Sequence, residues 1–412
     1  MKIAVIGSGI SGLSAAHYLS KKHKVDLFEK ENHFGGHSHT LDIDLGYKNI
    51  AVDIGFIVFN YQTYPNLINF FKENTIEIEK SDMSFSVSVN NSNIEYCGRG
   101  IDGIFSNRLN LFNLKFLKMF YEILFFYNKS NNIKSIEENS TLGEYLKKQK
   151  LSNYFINYHL IPMVSAIWSM PPYEANQMPL NFFLKFFQNH GLFKIKNRPQ
   201  WYTVSNRSKT YVDKILKTIS GEFYKNYKIN KIKRNLKGVQ IYYGDETEFF
   251  SYDKVVVATH ADEALKLIEK PSQEEIKILS NFKYKENIAY IHFDENIMPK
   301  NRKNWCSWNS SVDKDNINNN SVTYWLNLLQ NLKIDKNIFL TLNPYQNINK
   351  EKIYQKEVFT HPYYDVNALT NQKNLSTIQN KDNILFCGSY FGYGFHEDGI
   401  KSSLNMIEHL ND

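Results

Sequence analysis

The sequence predicts an α/β fold in which one dinucleotide-binding domain is assembled from both ends of a 412-residue chain. Three observations predict it. Near the start, the apolar run Ile3-Ala4-Val5-Ile6 leads into Gly7-Ser8-Gly9-Ile10-Ser11-Gly12. A second short strand, Lys24 to Phe28, ends at the acid Glu29. Near the other end, the apolar run Asn383 to Phe386 leads into Cys387-Gly388-Ser389-Tyr390 and then Gly394-Phe395-His396-Glu397-Asp398-Gly399.

Each element has a physical reason. A short continuous apolar run suits a parallel strand buried on both faces. Gly7 permits a tight turn, Gly9 lets the backbone approach a pyrophosphate, and Gly12 lets the next helix pack on the strand. Ser14 to Ser20 reads as that helix, with its N-terminal amides and dipole facing the phosphates. Glu29 is placed to accept hydrogen bonds from both ribose hydroxyls. An acid there favours a free 2′-hydroxyl, so FAD or NAD fits better than NADP.

Composition excludes other classes. The net charge of +7 is modest for this length, and no Lys/Arg block or zinc pattern points to nucleic acid. Cys97, Cys306 and Cys387 lie far apart and suggest neither a disulfide framework nor a metal cluster, so a reducing cytoplasm is expected. The first residues read as strand and glycine loop rather than a secretory signal, and no run has transmembrane length. A soluble or peripheral protein is expected.

A second glycine pair follows the ribose acid in Lys30-Glu31-Asn32-His33-Phe34-Gly35-Gly36-His37. With Val52 to Asn60, Arg198-Pro199-Gln200-Trp201, Val322 to Asn327, Thr341-Leu342-Asn343-Pro344, His361-Pro362 and Gly392 to Gly399, it resembles the flavin amine oxidase/phytoene desaturase superfamily. Within it, the full chain resembles a subgroup associated with cyclopropane-fatty-acid-synthase-like methyltransferases and fatty-acyl desaturation. Two departures stand out. His37 replaces the Arg that many members carry, and Ser205-Asn206-Arg207-Ser208 stands where relatives often have Gly-Gly-Ser.

The resemblance implies FAD and a Rossmann-like FAD-binding domain interleaved with an α+β substrate domain, the two-domain fold of amine oxidases. The one cysteine near the C-terminal motif, Cys387, reads as buried in the strand before the turn, so noncovalent FAD is expected. The FAD domain would comprise about 1–80, 200–265 and 372–412, and the substrate domain about 81–199 and 266–371. The implied cofactor residues are Gly7, Gly9, Ser11, Gly12, Glu29, Lys30, Gly36, His37, Ile229, Gly388, Glu397, Asp398, Gly399 and Ile400. Ile229 would lie on the adenine side. The amides opening a helix at Asp398 would face the flavin, where a helix N-terminus stabilises its reduced form. No metal is expected.

His396 is the catalytic candidate, as a base or polar guide; structural packing on the flavin is the alternative. Glu397 and Asp398 are expected chiefly to contribute backbone and cap the helix. Many oxidases of the superfamily hold a water with a lysine in a substrate-domain strand. The comparable strand here, Asn287 to His292, contains none, which favours a dehydrogenase or desaturase over an amine oxidase. His292 reads as a satisfied sheet histidine.

Leu111 to Tyr127 is apolar nearly all round, with Phe112, Phe116, Met119, Ile123 and Phe126 at helical spacing. Phe182 to Phe187 forms a second aromatic cluster. Core helix is one reading; an apolar tunnel or a membrane-facing surface with snorkelling lysines is the other. The function expected is abstraction of hydride from an apolar substrate, an unsaturated or methyl-branched fatty-acyl chain. The alternatives are an amine oxidase releasing hydrogen peroxide and a non-catalytic FAD-bound partner of a lipid methyltransferase. Contact with the inner membrane face is a further expectation.

Overall fold

The computed structural model describes residues 1–133, 140–235 and 237–411. It divides into two compact units: Met1–Glu79, Thr203–Lys285 and Pro362–Asp412 form the first, and Lys80–Tyr202 and Glu286–His361 the second. Residues 266–285 and 362–371, expected in the insertions, lie in the first unit.

The first unit is organised by a parallel sheet of β1 (Lys2–Ile6), β2 (Lys24–Phe28), β3 (Phe223–Tyr224), β4 (Lys254–Val257) and β5 (Ile384–Phe386). The order is β3-β2-β1-β4-β5, the doubly wound pattern whose direction reverses beside β1. Ile3, Val5, Val25, Leu27, Val255, Val256, Ile384 and Leu385 have no exposed surface. Each such side chain contributes about 1.5–3 kcal/mol by burial, which is why these short strands read as unbroken apolar runs.

Helix α1 (Ile10–Ser20) follows β1, and α4 (His396–Glu408) follows β5. Small residues bring the two helices together: Ser14 Oγ and Ser403 Oγ are 2.6 Å apart. A Cβ on Gly399 would lie 2.7 Å from Ile10 Cγ2 and from Ser11 Oγ. The two helix N-termini therefore stand side by side.

Two further helices, α2 (Pro65–Glu73) and α3 (Ser208–Leu216), belong to this unit. The turn before α3 contains Asn206 at φ +59° and Arg207 at φ +79°. Neither residue is a glycine, yet both hold a positive φ. Asn tolerates this region; Arg does so at a strain of about 1–3 kcal/mol. Arg207 is anchored by its Nε, which donates to Ala51 O at 2.8 Å. Asp53 completes the turn by accepting from the Ser208 amide and, at 2.7 Å, from Ser208 Oγ.

The second unit is built on a seven-stranded sheet in the order 353–363, 283–292, 339–342, 320–325, 308–313, 85–90 and 95–97. Its helices include Leu114–Asn131, Ile161–Trp168 and Leu180–Asn189. Phe182, Phe183, Phe186 and Phe187 are all buried, so the core reading holds for that cluster. On Leu114–Asn131 it holds for Phe116, Met119, Ile123 and Phe126. Phe112 differs: it precedes the helix and is 85% exposed.

Candidate functional site

The three glycines of the first turn make different demands. Gly7 has φ +98°, and a Cβ there would lie 2.8 Å from Ala258 O. A Cβ on Gly12 would lie 2.9 Å from the Gly7 carbonyl carbon and closer still to its oxygen. The fold itself requires those two. Gly9 has φ −61°, and a Cβ on it would meet nothing within 4 Å. Among the described residues nothing demands a small residue there; a ligand approaching the backbone would. Gly36 backs this turn: a Cβ on it would lie 2.9 Å from Gly9 Cα, too close to fit. His37 follows it and accepts from the Phe56 amide at 2.7 Å through its carbonyl.

Glu29, at the end of β2, is 7% exposed. Its Oε2 accepts from the Ser8 amide at 2.9 Å and Ser8 Oγ at 2.5 Å, while Oε1 accepts from the Glu31 amide at 3.0 Å. An ionised carboxylate has about four acceptor positions, so Oε1 keeps one for a ribose hydroxyl, rather than the carboxylate serving both hydroxyls. Ser8, inside the glycine motif, is a residue the spacing rule overlooked; its Oγ also accepts from the Gly35 amide at 3.0 Å. The adjoining chain passes close by: the Tyr227 amide donates to Glu29 O at 2.7 Å, two residues before the buried Ile229. Lys30 is drawn elsewhere, its Nζ lying 2.6 Å from Glu263 Oε1.

At the other chain end, the Gly388 amide donates to Ser402 Oγ at 2.9 Å, fixing β5 to the second turn of α4. Gly399 meets Ile10 and Ser11 where α1 and α4 begin, and the next residue, Ile400, is fully buried. Two helix N-termini in one place offer unpaired amides and aligned dipoles to anionic or electron-rich groups.

His396 opens α4 but is 9% exposed. Its ring stacks on Phe56 at 3.6 Å and 12°. Its Nε2 is 2.9 Å from Ser38 Oγ and 3.4 Å from Tyr211 OH. Burial lowers its pKa to about 3, so it is neutral and a very weak base at physiological pH. Such a ring is poorly suited to act as a base, which leaves the polar-guide and packing readings. Ser38 and Tyr211, which bond each other, carried no sequence signal because their partner lies far along the chain.

The Glu397 carboxylate does not turn toward the glycine turn. Its Oε1 accepts from the Asn66 amide at 3.1 Å and Asn66 Nδ2 at 2.7 Å, and its Oε2 from the Leu67 amide at 3.0 Å. It caps α2, which has no side-chain cap of its own and no acid in its first turn. Glu397→Ala should therefore destabilise the protein by about 1–2 kcal/mol and leave cofactor stoichiometry unchanged. Urea midpoints and flavin content of the purified variant test this; loss of cofactor without loss of stability would contradict it. Asp398 caps its own helix, accepting from the Phe395 amide at 3.0 Å.

In the second unit, His292 is fully buried. Its Nε2 lies 2.7 Å from Thr341 Oγ1, and Nδ1 accepts from the Asp294 amide at 3.1 Å. Burial lowers its pKa to about 4, the satisfied sheet histidine expected. Asn327 is also structural, accepting from the Ile338 amide at 2.8 Å and donating to Lys336 O at 2.9 Å. Cys97, Cys306 and Cys387 are free and buried.

The family described as NAD(P)-binding Rossmann-like domain matches residues 5–73. No curated protein sequence matches the chain significantly. Solved structures match its whole length. A CLA-producing fatty acid isomerase from P. acnes is 13% identical, with TM-score 0.69 over 100% of this chain and 98% of that one. Cyclohexylamine oxidase from Brevibacterium oxydans IH-35A is 13% identical, with TM-score 0.66 over 100% and 99%. Putrescine oxidase bound to putrescine is 12% identical, with TM-score 0.70 over 99% of each chain. The chain thus has a mixed α/β fold with a Rossmann-like domain, in the two-domain form shared with amine oxidases. Among the described residues, no helix is long and apolar enough to cross a membrane.

Proposed function

We propose that the chain is an FAD-dependent oxidoreductase that takes hydride from an apolar substrate, an unsaturated or methyl-branched fatty-acyl chain. The observation that carries the cofactor assignment is the open backbone at Gly9, backed by Gly36 and set at paired N-termini contributed by both chain ends. The donor set fits a dinucleotide: amides at the starts of α1 and α4 for phosphate and flavin edges, and Glu29 Oε1 for a ribose hydroxyl. When bound, FAD supplies the hydride acceptor. The protein's own part is to hold that acceptor. Ser8 orients Glu29, while Ser38, Tyr211 and Phe56 lock His396 at the start of α4.

The fatty-acyl reading draws on the motif resemblance, the lysine-free strand Asn287 to His292, and a fold shared with a fatty acid isomerase. The fold is shared equally with two amine oxidases, so the deciding experiment offers both substrate classes. Purified protein is mixed anaerobically with acyl lipids or simple amines while flavin absorbance is followed. Bleaching by unsaturated or methyl-branched acyl lipids alone is the expected result. Bleaching by amines, with peroxide released on admitting air, would replace the proposal with an amine oxidase. Bound FAD that neither class reduces would favour a non-catalytic partner of a lipid methyltransferase.

A further inference from the structure

The second unit carries an apolar surface that its core does not use. Eight of the twenty exposed large hydrophobic residues in the described structure fall between residues 101 and 125. They include Ile101, Leu109, Phe112, Leu114, Tyr121 and Phe125, exposed by 74, 64, 85, 81, 66 and 43%. The opposite face of helix Leu114–Asn131 is already filled by Phe116, Met119, Ile123 and Phe126, so these residues are not displaced core. Monomeric soluble proteins seldom expose such a cluster without a binding role.

Charge identifies the occupant. Residues 99–131 contain five basic and two acidic side chains. Of the acids, Asp102 is paired with Arg108 at 3.1 Å, and Glu122 is buried, accepting from the Ser152 amide at 3.0 Å and lying 3.9 Å from Lys118 Nζ, so that Arg99, Lys115 and Lys129 exceed the acids. Lys115, Lys118 and Lys129 are exposed on the same helix. Lys129 Nζ lies 5.6 Å from the Phe125 ring centre, the arrangement of a lysine whose stem covers apolar surface.

A cleft of about 470 Å³ adjoins this surface. Asn113 lines it and sits between Phe112 and Leu114, the two most exposed large hydrophobic residues among those described. The other walls include Asn91, Asn93, Tyr154 and Tyr158, with the exposed Lys300 and Lys314 as the charged members. Two ammonium groups and several amide and phenol donors suit an anionic oxygen head, and its position beside Phe112 suits one whose tail continues into hydrocarbon.

We propose that the second unit docks on an anionic phospholipid bilayer through residues 101–129, with Phe112 and Leu114 entering the acyl layer. Lys300 and Lys314 hold a lipid headgroup phosphate in the adjoining cleft. This assignment is independent of the flavin reading: failure of either leaves the other standing.

The test is sedimentation of the holoprotein with phosphatidylglycerol or phosphatidylcholine vesicles. Binding to phosphatidylglycerol, reversed by salt, with little binding to phosphatidylcholine is expected. Phe112→Ser with Leu114→Ser should lower partitioning roughly tenfold or more, and Lys300→Gln with Lys314→Gln roughly tenfold, with flavin content unchanged. Phe112→Trp, which needs no loss of structure, should show an emission difference from the wild type, with its five tryptophans, that shifts to the blue on phosphatidylglycerol vesicles. Absence of vesicle binding, equal binding to both lipids, or an emission unmoved by vesicles would overturn the proposal, the first leaving a protein partner for the patch.

Discussion

Gly9→Val should strip the protein of FAD and leave it folded, whereas Gly12→Ala should cost the fold. The contrast follows from where a Cβ would go. At Gly12 it would press on the Gly7 carbonyl, with the Ala258 methyl at 3.3 Å on another side. Backbone on one side and a sheet neighbour on the other leave no route for relaxation. The penalty should exceed about 3 kcal/mol, as for severe overpacking, and so appear as low soluble yield or a sharply reduced urea midpoint. At Gly9 the backbone is already in a conformation open to any residue, and no protein atom lies within 4 Å of the added carbon. Loss of a favourable N-cap residue should cost the apoprotein no more than about 1 kcal/mol. The valine would, however, occupy the space through which a pyrophosphate reaches the helix N-terminus. FAD affinity should fall by roughly a hundredfold or more, equivalent to about 2.7 kcal/mol or more. Flavin retained at wild-type stoichiometry by Gly9→Val would remove the pyrophosphate from this turn. Equal destabilisation by both substitutions would make Gly9 merely another packing glycine.

The parts of this arrangement legible in the sequence are those set by neighbours in the chain. β1, the glycine turn, α1 and β2 occupy consecutive segments, so periodicity and turn chemistry reach them directly. What escaped depends on long-range partners. Glu397 reads as part of a cofactor motif, yet its carboxylate caps a helix beginning at Pro65. Lys30 follows the ribose acid but pairs with Glu263. His396 was open between base and packing because sequence cannot show that Phe56, Ser38 and Tyr211 converge on one ring. The helix Leu114–Asn131 fails differently: its apolar residues occur on both faces. Periodicity identifies the stripe but not which stripe meets the core, and only the packed structure separates Phe116 from Tyr121. The Asn206-Arg207 turn makes a third case. The missing glycines suggest altered geometry, yet both residues hold a positive φ, with the Arg207 side chain anchored through its Nε.

Asp398→Asn should change the pH dependence of stability in a direction opposite to that of the whole protein. Asp398 is deeply buried at the start of α4, and burial raises its pKa to about 6 against the hydrogen bonds from the Phe395 and Tyr393 amides, with the neighbouring Glu397 adding to the rise and Lys401 opposing it. The folded state therefore binds this proton more tightly than the unfolded chain does. The associated stability is fully present below pH ~4 and is lost as pH rises through ~6, a total of about 3 kcal/mol for a shift of roughly two units. About half of that loss, ~1.4 kcal/mol, falls between pH 5 and 7.5. Buried histidines push the other way. His159 and His396 are lowered to about 3, and His190 and His292 to about 4, all chiefly by burial. Each keeps its stability above pH ~6.5 and loses about 2 kcal/mol by pH 5, as the unfolded chain takes up the proton first. Four histidines outweigh one aspartate, so wild-type stability should fall on acidification from pH 7 to 5. The aspartate emerges only in the difference: stability of Asp398→Asn relative to wild type should rise by about 1.4 kcal/mol from pH 5 to 7.5, whatever fixed offset the new amide introduces. Urea midpoints at four or five pH values measure that slope. Parallel curves would mean that Asp398 is ionised in the folded protein throughout, and that its two amide bonds outweigh its burial.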